Sequence, residues 1–352
     1  MAKLEDEYIN VIKITRQLLD SNREWIDRYI NYIQKINDIR EQLKKARQAF
    51  YVPKPFKLYM PISKAMNRVF NLRFCGQDVA DLKINTYNEV LIHFNKKARN
   101  IKKARDIFAL MSNEDKVYFE NLEDKFYPWT GEEAKRFRSI VKGFPPEKLC
   151  GQPEHKLESY LLDNYLQKSS QGKEILNIQP ITMLEGSGFF QMPTPLKASG
   201  AKNGINNIKY AKSYGGGIDI LARVGRGIGT QLAILELKDE NISSEPPEEA
   251  IEAAALSVAA ALCAGASQAI VYATFVRELL RSEVGKTYWR FFGFTRKLPE
   301  KLVLKAIIVM PYKAGVNTDF GKTSLQIEDT NDFIELGYIY RKDDGQAPEV
   351  CF

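Results

Sequence analysis

Gly215-Gly216-Gly217-Ile218-Asp219-Ile220-Leu221-Ala222-Arg223-Val224, the link Gly225-Arg226-Gly227-Ile228-Gly229, and Gln231-Leu232-Ala233-Ile234-Leu235-Glu236-Leu237-Lys238-Asp239 decide how this chain folds. Both flanking stretches are apolar at nearly every position, as central strands covered on both faces are. The glycine-rich link folds them into a hairpin. Alternation along a strand puts Glu236 and Lys238 on one side, roughly 6–7 Å apart. The hairpin also brings Asp219 beside Glu236, so two carboxylates and an amine meet at one point. Burying such a cluster is costly unless its charges are paired or hold a cation. Two acids suit a hard divalent metal, and the lysine suits orienting or deprotonating water for hydrolysis. A surface hairpin with its polar residues in water is the bland alternative, and the apolar wrapping argues against it.

Working outward, His155-Lys156-Leu157-Glu158-Ser159-Tyr160-Leu161-Leu162 lies in a helical stretch over about 153–168. Strands are expected at Ile175 to Leu184, Gly188 to Met192 and Leu302 to Met310. Ser243 to Pro247 reads as a helix start, with prolines where missing N–H groups matter least. The alanine-rich helix that follows can approach a sheet closely, and Gly265 is expected to kink it just before Gln268. Gln268 and Tyr272, four apart, share one face of that helix.

These residues resemble the PD-(D/E)XK nuclease superfamily over about residues 150 to 312. The family pattern is a helical Glu, an Asp at a strand end, Glu-x-Lys, and in the RecB-type subgroup a Gln-x-x-x-Tyr helix. Glu158, Asp219, Glu236 with Lys238, and Gln268 with Tyr272 supply each in order, although no proline precedes Asp219. The α-β-β-β-α-β order is similar to the restriction-endonuclease-like core. The resemblance thus implies an α/β fold, a mixed sheet flanked by helices. It implies that Asp219, Glu236 and the backbone carbonyl of Leu237 ligate one Mg²⁺ or Mn²⁺, ions that prefer oxygen ligands. Glu158 is implied to bind a second metal or its water, and the alternative is an exposed helix carboxylate paired with Lys156 or another nearby cation. Lys238 would position the attacking water, and Gln268 and Tyr272 would steady the lysine region or touch the nucleic-acid backbone. Ordinary helix packing is the other reading of that pair. Phosphodiester hydrolysis follows, with DNA favoured over RNA as substrate and host defence or restriction as the setting.

Charge supports a polyanionic partner. The 352 residues carry a net charge of +7, and residues 1–150 hold 29 Lys and Arg against 20 Asp and Glu. Arg40 to Arg105 alone has 16 basic and 4 acidic residues. Its densest cluster is Lys96, Lys97, Arg99, Lys102, Lys103 and Arg105, the footprint of a phosphate-contacting module or else a solvated basic surface. Four scattered cysteines show no Cys-x-x-Cys and suit a reducing cytoplasm, and two histidines argue against zinc or histidine chemistry. The N-terminus is charged and unlike a signal peptide, and the apolar run Ala253 to Ala266 is too short to span a bilayer. No membrane partner is expected.

The composition divides the chain into residues 1–52, 53–146 and 147–352. The first part reads as long helix, with Ser21 and Glu24 as a capping box and a break at Asp20-Ser21-Asn22. Ile26, Ile30, Ile33, Ile36, Leu43 and Phe50 form one apolar stripe, packed on its own domain or pairing two subunits in a homodimer. The second part reads as a basic α+β domain, with strands at Phe70 to Ile84 and Glu89 to Phe94 and helix over 112–142. Its aromatics Phe56, Tyr59, Phe70, Phe74, Tyr87 and Phe94 read as core. The third part is the nuclease-like domain. The glycine link opens no helix and is not a dinucleotide loop. Gly315 to Thr323 has five residues between its glycines where a P-loop has four, so nucleotide hydrolysis is rejected. Two readings remain beside the nuclease: a nucleic-acid-binding protein on a nuclease fold that no longer cuts, and a helical interaction scaffold.

Overall fold

Two helices open the chain, and the break falls where it is expected. Ala2–Asp20 (α1) and Trp25–Ala46 (α2) flank a turn at 21–24. Ser21 N–H donates to Gln17 O and Trp25 N–H to Asn22 O, while the Asn22 amide donates to Leu18 O at 2.8 Å. Ser21 and Glu24 therefore lie within the turn, and α2 begins at Trp25 without the expected capping box. The architecture is a computed structural model, which describes residues 2–46, 56–61, 69–74, 77–87, 89–94, 111–123, 125–143, 157–159, 161–162, 178–184, 187–199, 207–238, 251–311, 323–341 and 349–351.

A meander follows: Phe56–Pro61 (β1), Val69–Phe74 (β2), Gln77–Ile84 (β3) and Val90–Phe94 (β4), each antiparallel to the next. Asn113–Asn121 (α3), Tyr127–Pro128 (β5) and Glu132–Lys142 (α4) complete this stretch, so 112–142 is two short helices around a strand rather than one helix. Ser112 caps α3 by accepting from Asp115 N–H. Phe56, Tyr59, Phe70, Phe74 and Phe94 are buried as expected, whereas Tyr87 is exposed.

Ile178–Pro180 (β6), Thr182–Leu184 (β7) and Ser187–Gln191 (β8) come next. β6 joins a different sheet from β7 and β8, which continue the meander in the order β5-β4-β3-β2-β1-β8-β7. The expected single strand over Ile175 to Leu184 is thus divided between two sheets. Pro193–Thr194 (β9), Leu196–Lys197 (β10), Lys209–Tyr210 (β11) and Gly216–Gly217 (β12) form a narrow ribbon. Ile220–Val224 (β13) and Gln231–Leu237 (β14) are the hairpin read from the sequence, paired Ile220 to Leu235 through Val224 to Gln231.

Ile251–Arg281 (α5) then crosses over, Gly285–Phe291 (α6) follows, and Val303–Pro311 (β15) lies parallel to β14. Ser324–Gln326 (β16), Phe333–Arg341 (β17) and Glu349–Cys351 (β18) close the chain. The sheet order is β16-β17-β15-β14-β13-β6, with β15 and β17 parallel and β18 on β17. The fold is mixed α/β. Leu232, Ile234, Leu235, Leu304, Ile307, Ile308 and Ile339 are buried, as strands covered on both faces require. α5 runs through Gly265 as one continuous helix from Ile251 to Arg281. The helix start at Ser243 to Pro247, the boundary at Pro145-Pro146 and the basic cluster Lys96 to Arg105 lie outside the described residues.

Contacts divide the chain into two interleaved units. One is Met1–Ile33, Tyr165–Ile181 and Gln191–Phe352; the other is Gln34–Asn164 and Thr182–Phe190. These cuts differ from the composition boundaries at 52 and 146, because strand pairing and helix packing join segments distant in sequence. α1 belongs to the unit of the hairpin and packs along α5. Trp25 meets Phe275 edge-on at 5.7 Å, Tyr29 donates to Pro193 O, and Tyr288 donates to Tyr29 O at 2.9 Å. Ile33 and Ile36 are buried and Ile26 and Ile30 half-buried within the chain.

Candidate functional site

Register builds the site. Asp219 precedes β13 by one residue, so it stands across from Glu236, one step beyond the Ile220–Leu235 pair. Residues directly opposite on paired strands share a face, and Lys238 shares that face by alternation. Asp219 is anchored by Leu237 N–H, which donates to its Oδ2 at 2.9 Å. Glu236 is 1% exposed, and Lys238 Nζ donates to its Oε1 at 2.7 Å. A buried carboxylate needs a cation beside it, and Lys238 supplies one from two residues away.

α5 covers this face and explains two glycines. A methyl on Gly265 would lie 3.2 Å from Lys238 Cγ and 3.3 Å from Ile308 Cγ2, so the glycine leaves room for the lysine stem. A methyl on Gly216 would lie 2.9 Å from the Tyr272 hydroxyl, so the turn before Asp219 passes against that phenol. Gln268 Nε2 donates to Tyr272 Oη at 3.3 Å. Burial, with the charge of Glu236 next and that of Asp219 adding to it, pushes the Tyr272 phenol well above its ordinary value. Tyr272 therefore stays protonated beside the two acids. The four residues Asp219, Glu236, Lys238 and Tyr272 come together, with Gln268 on Tyr272. Among the described residues no set of three or more His, Cys, Asp and Glu side chains is placed to hold a metal.

Gly265 yields a direct expectation. Gly265→Val pushes the Lys238 stem aside while Asp219 and Glu236 keep their places. Any lysine-dependent turnover should fall roughly 10- to 100-fold, the scale of a misplacement near 1 Å. A rate equal to the parent's would show that the position of the lysine does not matter.

Lys156 lies outside the described residues, while Glu158 belongs to the other unit and is not an exposed helix carboxylate. It is buried, Tyr59 Oη donates to its Oε1 at 2.7 Å, and Arg73 Nη1 lies 3.6 Å from its Oε2. Arg73 stacks on the Tyr59 ring at 3.9 Å and donates through Nε to Asp78 Oδ1 at 3.0 Å. Asn71 Nδ2 donates to Asp78 Oδ2 at 2.7 Å. Burial opposes the Arg73 charge, but Glu158, Tyr59 and Asp78 outweigh it and hold the guanidinium above its ordinary value. Burial, reinforced by the Glu158 charge, raises the Tyr59 phenol well above its usual range. Both Glu158 oxygens have partners within its own unit. Glu158→Gln leaves the buried Arg73 with Asp78 as its carboxylate partner, and such a partial loss costs about 1–3 kcal/mol. A fall in melting temperature is expected, with the stabilisation by added Mg²⁺ unchanged. A variant that melts like the parent but responds less to Mg²⁺ would return Glu158 to the metal.

Tyr214, Gly216 and Gly265 were not singled out as site residues by the sequence. The run Gly215-Gly216-Gly217 just before Asp219 was the available signal, since consecutive glycines permit close approach. Comparison of the chain with protein-family models, curated proteins and solved structures finds no match in any of the three. No helix among the described residues is long and apolar enough to cross a membrane.

Proposed function

We propose that this chain is a Mg²⁺- or Mn²⁺-dependent nuclease that hydrolyses phosphodiester bonds in DNA, on a restriction-endonuclease-like core. The observation that carries the reading is the convergence of Asp219, Glu236 and Lys238 on one sheet face beneath the Gln268–Tyr272 helix. The antiparallel β6-β13-β14 arrangement, the α5 crossover and the parallel β15 agree with the strand order that the resemblance implies. The donor set suits a hard ion: Mg²⁺ needs only one or two carboxylates and keeps several waters, whereas zinc favours histidine and thiolate ligands. Asp219 and Glu236 would hold the ion together with the Leu237 carbonyl. A bound ion would supply Lewis-acid stabilisation of the phosphoryl group and an acidified water.

The chain's own residues do the rest. Leu237 N–H keeps one Asp219 oxygen directed at β14. Lys238 offers three N–H donors, and its amine is placed to orient water and offset negative charge on a phosphate. Tyr272, buried and protonated, keeps α5 and the glycine turn in register. The test is incubation with supercoiled, linear and single-stranded DNA in Mg²⁺, Mn²⁺ or EDTA. Cleavage with either metal and none in EDTA is expected. Equal cleavage in EDTA, or none with any metal and substrate, would overturn the reading.

A further inference from the structure

The ribbon that delivers Asp219 has a second feature. Leu196 pairs with Tyr210 and Lys197 with Lys209, and further along Thr194 pairs with Gly216 and Pro193 with Gly217. Ala211 N–H donates to Pro195 O at 2.7 Å, and Gly215 N–H to Thr194 O at 2.9 Å. Lys212, Ser213 and Tyr214 therefore leave the ladder as a bulge, a device that redirects side chains near active sites. Arg28 fixes the bulge from α2. Its guanidinium donates to the carbonyl oxygens of Ala211, Lys212 and Ser213, and to the Tyr210 hydroxyl at 2.8 Å.

A bulge held this firmly still leaves its side chains in water. Tyr214 is 58% exposed, and Lys212 and Ser213 are exposed beside it. The Tyr214 hydroxyl would lie 3.2 Å from a methyl on Gly217, which places that hydroxyl beside the turn that leads to Asp219. Lys197 and Lys209 are both exposed and stand directly opposite each other. Like charges so placed repel, and an anion between them removes the penalty. An exposed aromatic residue on a ribbon that also carries three exposed lysines has the chemistry that holds an unpaired nucleotide strand, with bases on the ring and phosphates on the cations.

We propose that this ribbon is a platform for single-stranded DNA: Tyr214 stacks on an unpaired base, and Lys197, Lys209 and Lys212 hold the flanking phosphates. The proposal rests on the nuclease reading and names the strand form which that site receives. Bases inside a duplex are already stacked and paired, so the Tyr214 face serves single strands and frayed ends.

Binding of the intact chain to a labelled oligothymidylate and to a hairpin duplex of equal length tests it, by anisotropy in Ca²⁺ across a salt series. Tyr214→Ala should weaken single-strand binding roughly 5- to 100-fold, the scale of one lost base stack. Duplex binding should change less than about twofold, and Tyr214→Trp should restore the single-strand affinity. Replacing Lys197 and Lys209 together by alanine should flatten the single-strand salt slope by about 1.4 units, near 0.7 for each phosphate. Single-strand binding unchanged in Tyr214→Ala, an equal loss on duplex, or a parent that binds no single strand would each overturn the platform. The nuclease reading fails separately, by metal-independent or absent cleavage in the parent.

Discussion

Alanine at Glu236 or Asp219 should reduce metal-dependent cleavage by about a thousandfold or more, the scale of losing a group aimed at transition-state charge. Both substitutions remove a carboxylate from the same sheet face, and neither neighbour offers a substitute. Lys238 is a cation, and Tyr272 stays protonated. The metal response separates ligand from catalyst. An ion that binds only the folded chain stabilises it by mass action, about 2.7 kcal/mol at a hundred times its dissociation constant. Mg²⁺ or Mn²⁺ should therefore raise the melting temperature of the parent and of Lys238→Ala, and raise it less in either acid variant. Lys238→Ala should lose cleavage while keeping that rise. Glu236→Gln is the cleaner control for folding, because it keeps the buried volume. Full activity in Asp219→Ala would end the assignment.

The largest loss of stability is expected at Asp332, far from the hairpin in sequence. Its carboxylate accepts from Arg277 Nε at 2.8 Å, Arg281 Nε at 2.9 Å, Arg281 Nη2 at 2.5 Å and Leu302 N–H at 2.9 Å. Arg277 also pairs with Glu278, which in turn holds Arg16 of α1. One buried acid thus ties α5 to the start of β15 and, through Glu278, to the N-terminal helix. Asp332→Ala leaves the buried Arg277 with Glu278 alone and takes the same carboxylate from Arg281, and should cost about 3–5 kcal/mol. Chemical denaturation would measure it, and a loss below about 1 kcal/mol would show that water replaces the carboxylate without penalty.

The same group sets an acid limb. Burial alone would raise the Asp332 carboxyl, but the Arg281 guanidinium, the Leu302 N–H and Arg277 outweigh it and hold it below the ordinary range. A depressed carboxyl stabilises the fold fully above its unfolded value, near 3.9. That contribution is lost as pH falls through the lower folded value. Parent and Asp332→Ala should therefore differ by a constant amount from about pH 5 to 8 and converge under acid.

How much of this was legible depends on distance along the chain. The hairpin could be read because both strands, their apolar faces and the glycine link lie within 25 consecutive residues. Alternation then placed Glu236 and Lys238 together without any tertiary information. The α1–α2 break and the β2-β3-β4 meander were legible for the same local reason. β1 was not, since its flanking prolines Pro53, Pro55 and Pro61 read as helix-ending punctuation rather than as the borders of a strand. The split of β6 from β7 was hidden as well, because Ile178 to Leu184 is one extended run, yet β6 pairs with β13 more than 40 residues on, while β7 pairs with the adjacent β8, whose other neighbour β1 lies far upstream.

The amino-acid order alone determined the mixed α/β class, the hairpin, and the acids and lysine that share its face. Those follow from periods of two and 3.6 residues and from glycine's reach, all local properties of the chain. Tertiary structure alone decided that Glu158 belongs with Tyr59, Arg73 and Asp78, that Gly265 makes room for Lys238, and that Tyr214 is held out in water by Arg28. Each of these joins side chains brought together only when distant segments pack. Their partners are chosen by excluded volume and by the cost of leaving a buried charge uncompensated, which no pattern along the sequence displays.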